Sequence, residues 1–193
     1  ILVLMLAGVV PRQYSLAVAA SQNVPADHWE QVTTLPADSI GAIAIDPTDA
    51  DRLYIGVSDA EKSAIYCSDN AGVSWSNVSF GLSGNGITCI AVNPENSSVL
   101  YAASRNNVFR STDYGFHWAQ SSHDLPGNFV TDLMIDPAAP TVVYAATDGE
   151  QGIWRSTDSG AHWSSVSRET GNSGVTALTI DASSTVYAAN PIG

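Results

Sequence analysis

The stretch Ser111-Thr112-Asp113-Tyr114-Gly115-Phe116-His117-Trp118 returns almost unchanged as Ser156-Thr157-Asp158-Ser159-Gly160-Ala161-His162-Trp163. A looser copy is Ser68-Asp69-Asn70-Ala71-Gly72-Val73-Ser74-Trp75. The shared pattern is Ser-x-Asp/Asn-x-Gly-x-x-Trp. Ser and Asp side chains of this kind turn their oxygens onto nearby backbone N–H groups and close a tight turn. Glycine two residues after the Asp accepts a positive φ that other residues resist. Tryptophan then supplies a large apolar anchor with one N–H to place. The pattern predicts a hairpin turn pinned by an aromatic side chain. A strand such as Val108-Phe109-Arg110 or Ile153-Trp154-Arg155 enters it, and a strand beginning at the Trp leaves it.

The copies keep time. Trp75 and Trp118 are 43 residues apart, Trp118 and Trp163 are 45 apart, and Trp29 stands 46 before Trp75 as the tail of an earlier copy. A second marker, Ile45-Asp46-Pro47, Val92-Asn93-Pro94, Ile135-Asp136-Pro137 and Ile180-Asp181-Ala182, follows the same beat. A third comes shortly after each: Leu53-Tyr54, Leu100-Tyr101, Val143-Tyr144 and Val186-Tyr187. Gly, Asn, Asp, Ser and Pro clusters break every candidate helix. A repeat of about 40–50 residues built from short strands points to an all-β chain, a propeller of four-stranded antiparallel blades. The units are expected at about 40–78, 87–121 and 130–166, with an incomplete one at 175–193. Three full blades plus parts of one or two more make a partial propeller, so a fragment of a larger ring is expected.

Residues 1–25 are expected to be a secretory leader and linker. Ile1–Val10 is an unbroken apolar run, too short for the ~20 residues of a membrane span, and Ala17-Val18-Ala19 offers a small-residue cleavage site. With no initiator Met and no basic segment ahead of the run, a truncated start is expected. The reading is a secreted or periplasmic protein whose mature part has no membrane span. The net charge of −12, with only seven scattered Lys and Arg, excludes a nucleic-acid backbone as partner. Two cysteines, Cys67 and Cys89, are too few for a disulfide framework. They are read as two free thiols, with one bridge between neighbouring strands as the alternative. No metal-ligand spacing, phosphate loop or nucleophile elbow occurs, so no cofactor and no metal is expected.

Ser-Thr-Asp-x-Gly-x-x-Trp resembles the Asp-box, or BNR, repeat of sialidases, xyloglucan-degrading glucanases, sortilin-type receptors and photosystem assembly-factor propellers. The resemblance covers residues from about 29 to 189. Its structural positions here are Ser68, Asn70, Gly72 and Trp75, then Ser111, Asp113, Gly115 and Trp118, then Ser156, Asp158, Gly160 and Trp163. Asn70 departs from the pattern by losing the charge, and the fourth unit ends before its box.

Antiparallel strands send alternate turns to opposite rims. The Asp-Pro and Asp-box turns are expected on one rim, which repeats monotonously and reads as structural. Loops between second and third strands, and connectors between blades, are expected on the other, where binding loops diversify. Catalytic candidates there are Asp59, Asp148 and Glu150; binding candidates are Glu61, Arg105, His123, Asp124 and Arg168, with Lys62, Asn106 and Glu169 nearby. Carboxylates from different blades could serve as acid and base on a glycosidic bond at a set separation. His117 and His162, locked to the repeat, read as strand surface.

Two functions follow from the resemblance. One is an exported, non-catalytic binding or assembly scaffold for a protein or carbohydrate ligand on the variable rim. The other is a fragment of a glycoside hydrolase, xyloglucanase-like in preference to sialidase-like. Sialidases resemble one another in an arginine triad and an Arg-Ile-Pro signature, both missing from this sequence. The glucanases use a carboxylate pair presented by two propeller halves.

Overall fold

The computed structural model describes residues 39–58, 63–127, 129–148, 152–166 and 174–190, and the backbone of two short strands before them. Those two, β1 (Val3–Leu6) and β2 (Ser15–Val18), pair antiparallel within the segment expected to be leader. The early copy around Trp29 lies outside the described residues.

Three four-stranded antiparallel sheets follow, each a meander in chain order. The first is β3 (Ile40–Asp46), β4 (Asp49–Ser58), β5 (Ser63–Ser68) and β6 (Ser76–Asn77). The second is β7 (Ile87–Val92), β8 (Leu100–Ser104), β9 (Val108–Ser111) and β10 (Ala119–Gln120). The third is β11 (Val130–Ile135), β12 (Val143–Thr147), β13 (Ile153–Ser156) and β14 (Ser164–Ser165), and β15 (Ala177–Ile180) pairs with β16 (Val186–Ala189) as the opening of a fourth. No described residue is helical. The chain is an all-β propeller of four-stranded antiparallel blades. Each outer strand starts one residue after the Trp and holds only two residues.

The blades stack face to face, so their middle strands are covered on both sides and lack a polar alternation. All five residues of β8 are buried, as a strand with no solvent face requires. Tyr54, Ile65 and Val78 of the first blade pack on Ile87, Leu100 and Trp118 of the second. One period later Tyr101 and Val108 pack on Val130, Leu133, Val143 and Trp163. Full burial of each such aliphatic or aromatic side chain contributes roughly 1.5–3 kcal/mol, so these seams hold the stack together.

Polar links fasten the seams at both ends of the inner strands. β7 and β11 each carry one extra residue, at Thr88 and Thr131, where the register with the next strand slips. Thr88 Oγ1 donates to Val130 O at 2.8 Å and Thr131 Oγ1 to Val175 O, in each case the next blade. In β3 the slip falls at Gly41, where a Cβ would lie 2.3 Å from Ile87 O. A side chain cannot fit there, so the first blade meets its neighbour by direct backbone approach. At the opposite end Ser97 Oγ donates to Asp46 and Ser184 Oγ to Asp136, again across one seam. The Asp-Pro marker is therefore a latch between blades as well as a turn. Burial alone would raise the Asp46 carboxyl; bonds from Ser97, Thr48 and Arg52 outweigh it and hold it below its ordinary value.

Candidate functional site

The box turns are built alike. Ser111 Oγ accepts the N–H groups of Asp113 (3.3 Å) and Gly115 (2.9 Å) and donates to Asp113 Oδ1 (2.8 Å). Ser68 and Ser156 do the same in their copies. Two residues, not the glycine alone, take positive φ: 55°, 61° and 59° at Ala71, Tyr114 and Ser159, then 87°, 88° and 84° at Gly72, Gly115 and Gly160. The first of each pair donates its N–H to a carbonyl in the turn between first and second strands, at Ser98 and Thr141, or just past it, at Asp51 in β4. Both turns thus share one rim, as the alternation of strands requires.

His117 and His162 are part of this clamp. Asp113 Oδ1 accepts the His117 N–H at 2.9 Å while Oδ2 meets Nδ1 at 2.6 Å. Asp158 and His162 repeat the pair at 2.9 and 2.7 Å. Where the first box has Asn70, Ser74 replaces the histidine, and Asn70 Nδ2 donates to Ser74 Oγ at 2.8 Å. Bonds from the His162 N–H and ring, and from Ser156, hold the Asp158 carboxyl far below its ordinary value. The bond to Asp158 raises the His162 imidazole above its own. The depressed Asp158 gives stability that is present above its unfolded pKa, near 4, and is lost as pH falls through its folded value. The raised His162 gives stability that is complete below its unfolded value, about 6.5, and is lost as pH rises through its folded value. The pair should therefore be strongest between about pH 4 and 6.5. An NMR titration is expected to find the His162 ring titrating above its ordinary value, and Asp158→Asn to return it there; an unchanged midpoint would refute the coupling.

On the other rim three loops meet at Phe129. The Arg105 guanidinium lies 5.7 Å from the Phe129 ring centroid. The Phe129 N–H donates to Asp148 Oδ1 at 3.1 Å, its carbonyl accepts the Asp148 N–H, and Arg105 O accepts the Val130 N–H. Of the residues expected on this rim, Arg105 and Asp148 are brought together and both are exposed. Phe129 was not singled out by sequence reasoning; a lone aromatic just ahead of an inner strand was its one signal. Asp59, Glu61, Lys62, Glu150, Arg168 and Glu169 lie outside the described residues.

His123 and Asp124 sit elsewhere than expected. Asp124 has φ 71° in a turn closed by Leu125 N–H to Ser122 O, and its charge helps to raise His162. Just before it, Ser121 Oγ donates to Gly160 O in the next box at 2.7 Å. One blade earlier, Phe80 O accepts the Trp118 N–H and the Phe80 ring stands edge-on to His117, centroids 5.2 Å apart. The first part of each of these two connectors therefore runs beside the following Asp box and reaches the variable rim only afterwards. The two-residue outer strands are the reason: they are too short to carry the chain across the blade.

Between the rims the inner strands β3, β7, β11 and β15 line a mainly apolar groove of about 610 Å³. Asp132 is the acidic side chain on its wall that sequence reasoning did not single out. Its Oδ1 accepts the Leu133 N–H (2.9 Å) and its Oδ2 the Leu178 N–H of the fourth blade (2.8 Å). Burial nonetheless raises its carboxyl. Burial, with Asp132 nearby, pushes the Cys89 thiol up to about 12, which makes it a poor nucleophile. Cys67 and Cys89 are both free. Among the described residues no three His, Cys, Asp or Glu side chains gather as metal ligands would.

Residues 106–187 match the family model for Sortilin-Vps10, described as sortilin, neurotensin receptor 3. The chain is a β-propeller that resembles the sortilin type. Solved structures agree. A GH74 xyloglucanase from Xanthomonas campestris superposes with a TM-score of 0.71 at 22% identity, over 84% of this chain and 29% of that one. YCF48 bound to D1 peptide gives 0.66 at 15% identity, over 98% and 58%. A nidogen/laminin complex gives 0.69 at 14% identity, over 92% and 66%. The chain spans less than a third of the xyloglucanase. These likenesses are of fold, and they include an enzyme and two complexes. No curated protein sequence matches the chain. No helix among the described residues is long and apolar enough to cross a membrane.

Proposed function

We propose that this chain is an exported, non-catalytic propeller that binds a protein ligand on the variable rim. The observation that carries the reading is the convergence of Arg105 and Asp148 on Phe129. A guanidinium over an aromatic face, beside a fixed carboxylate, is an arrangement suited to peptide recognition. Asp148 has one oxygen committed to a backbone N–H, which suits it to holding a loop in place. YCF48 with its D1 peptide and nidogen with laminin supply precedents in fold. The apolar run and small-residue site near the start support export. A xyloglucanase-like fragment is the competing reading, favoured by the GH74 likeness.

Incubation of the chain with a polysaccharide panel that includes xyloglucan is expected to release no reducing sugar. Release that disappears in Asp148→Asn would overturn the proposal. Among random peptides selected on the immobilised chain, one set is expected to lose about tenfold or more in affinity for Phe129→Ala and Arg105→Ala, and its absence would count against the site.

A further inference from the structure

The second Asp box differs from its sisters in what it exposes. Tyr114 and Phe116 stand where the first box has Ala71 and Val73 and the third has Ser159 and Ala161. They are 42% and 60% exposed, and Phe80, beside them on the connector, is 74% exposed. Three large aromatic rings left in water on one box, with small or aliphatic side chains at the box positions of its sisters, are not explained by the turn, which closes identically in all three.

A second departure lies in the blade before. Arg110 faces Tyr101 across its strand pair, and Arg155 faces Tyr144. The residue facing Tyr54 is Cys67. A thiol is several atoms shorter than an arginine side chain, and at this seam there is a pocket of about 200 Å³. Its walls include Arg52, Cys67, Asp69, Val78, Tyr114 and Phe116. The volume is below the ~300–1,000 Å³ typical of small-molecule sites and suits a single inserted side chain. Arg52 adds little net positive charge: it is held by Asp46 (3.3 Å) and Asp49 (3.7 Å) and lies 4.9 Å from the Tyr114 ring centroid. Asp51 and Asp69 are exposed around it, on a chain of net charge −12.

We infer that the seam between the first and second blades, on the Asp-box rim, docks a basic protein segment. It inserts one aromatic or branched aliphatic side chain beside Cys67, between Tyr114 and Phe116, with lysines or arginines on either side. Apolar anchors in small desolvated pockets carry most interface energy, and the acidic surround steers basic partners. This surface is independent of the Phe129 site on the opposite rim.

The test is selection of a phage-displayed random peptide library on the chain, with Cys67→Arg as the comparison. Arginine is what the next two blades carry at this register, so the variant should fold and fill the pocket; a thermal melt confirms it. One set of enriched peptides, distinct from those that need Phe129, is expected to share a large apolar residue flanked by Lys or Arg. They should bind Cys67→Arg and Phe116→Ser about tenfold more weakly, and Phe129→Ala equally well. No enrichment of such peptides, or binding by them that is indifferent to Cys67→Arg and Phe116→Ser, would overturn the inference. So would sedimentation showing that the seam instead pairs two copies of the chain.

Discussion

Trp163→Ala is expected to lower the free energy of unfolding by about 3–5 kcal/mol, the usual cost of emptying a buried indole site. Trp163 is 4% exposed and packs against the second blade as well as its own. Its Nε1 donates to Ser121 O of the second blade at 2.8 Å. The substitution therefore opens a cavity in a seam and removes a link across it. Trp163→Phe separates the two effects: it keeps most of the apolar volume and leaves the carbonyl short of a donor, for roughly 1–3 kcal/mol. Urea denaturation of the three proteins measures both. A loss below about 1 kcal/mol for Trp163→Ala, at the level of an ordinary surface change, would mean that the ring does not couple the blades.

Gly160→Ala is expected to cost roughly 3 kcal/mol, from about 1–2 for a side chain in left-handed backbone and the rest from collision and a broken hydrogen bond. Its φ is +84°, and an added Cβ would lie 2.4 Å from Ser121 Oγ, the atom that donates to Gly160 O. Gly115→Ala is the control. Its φ is +88°, but the nearest atoms to its Cβ are at 3.3 Å on Trp118 and 3.5 Å on Val78. That variant should show the backbone cost with little collision, about 1–2 kcal/mol. Equal losses at the two glycines would show that neighbouring-blade contact contributes nothing at Gly160.

The blades were legible because each repeats its chemistry at a fixed interval. Ser111, Asp113, Gly115 and Trp118 announce a turn whose partners lie within a few residues, so spacing alone reports it. The second positive φ, at Tyr114, was hidden because no residue type there is confined to that region. His117 and His162 were underread for a related reason. Their bond to the box aspartate is visible only once the turn brings Nδ1 and Oδ2 together. Asp132 is held by an N–H from the next blade, and Phe129 is a meeting point of loops from separate blades. Contacts of that range have no local signature. Cys67 carried a signal in its break from the Arg110 and Arg155 pattern, but the pocket it lines depends on Tyr114 and Phe116 across the seam.

The side-chain hydrogen bonds described between blades reach from 39 to 51 residues along the chain, from Ser121 to Gly160 and from Asp46 to Ser97. Each ties a blade to its immediate neighbour. Structural integrity is then shared as in a row of clasped links, where stability is approximately a sum over adjacent pairs. If one blade opens, a neighbour loses that grip and keeps whatever grip it has on its other side. Partial opening in such an array spreads stepwise from wherever it begins, so amide protection should be graded along the chain instead of uniform.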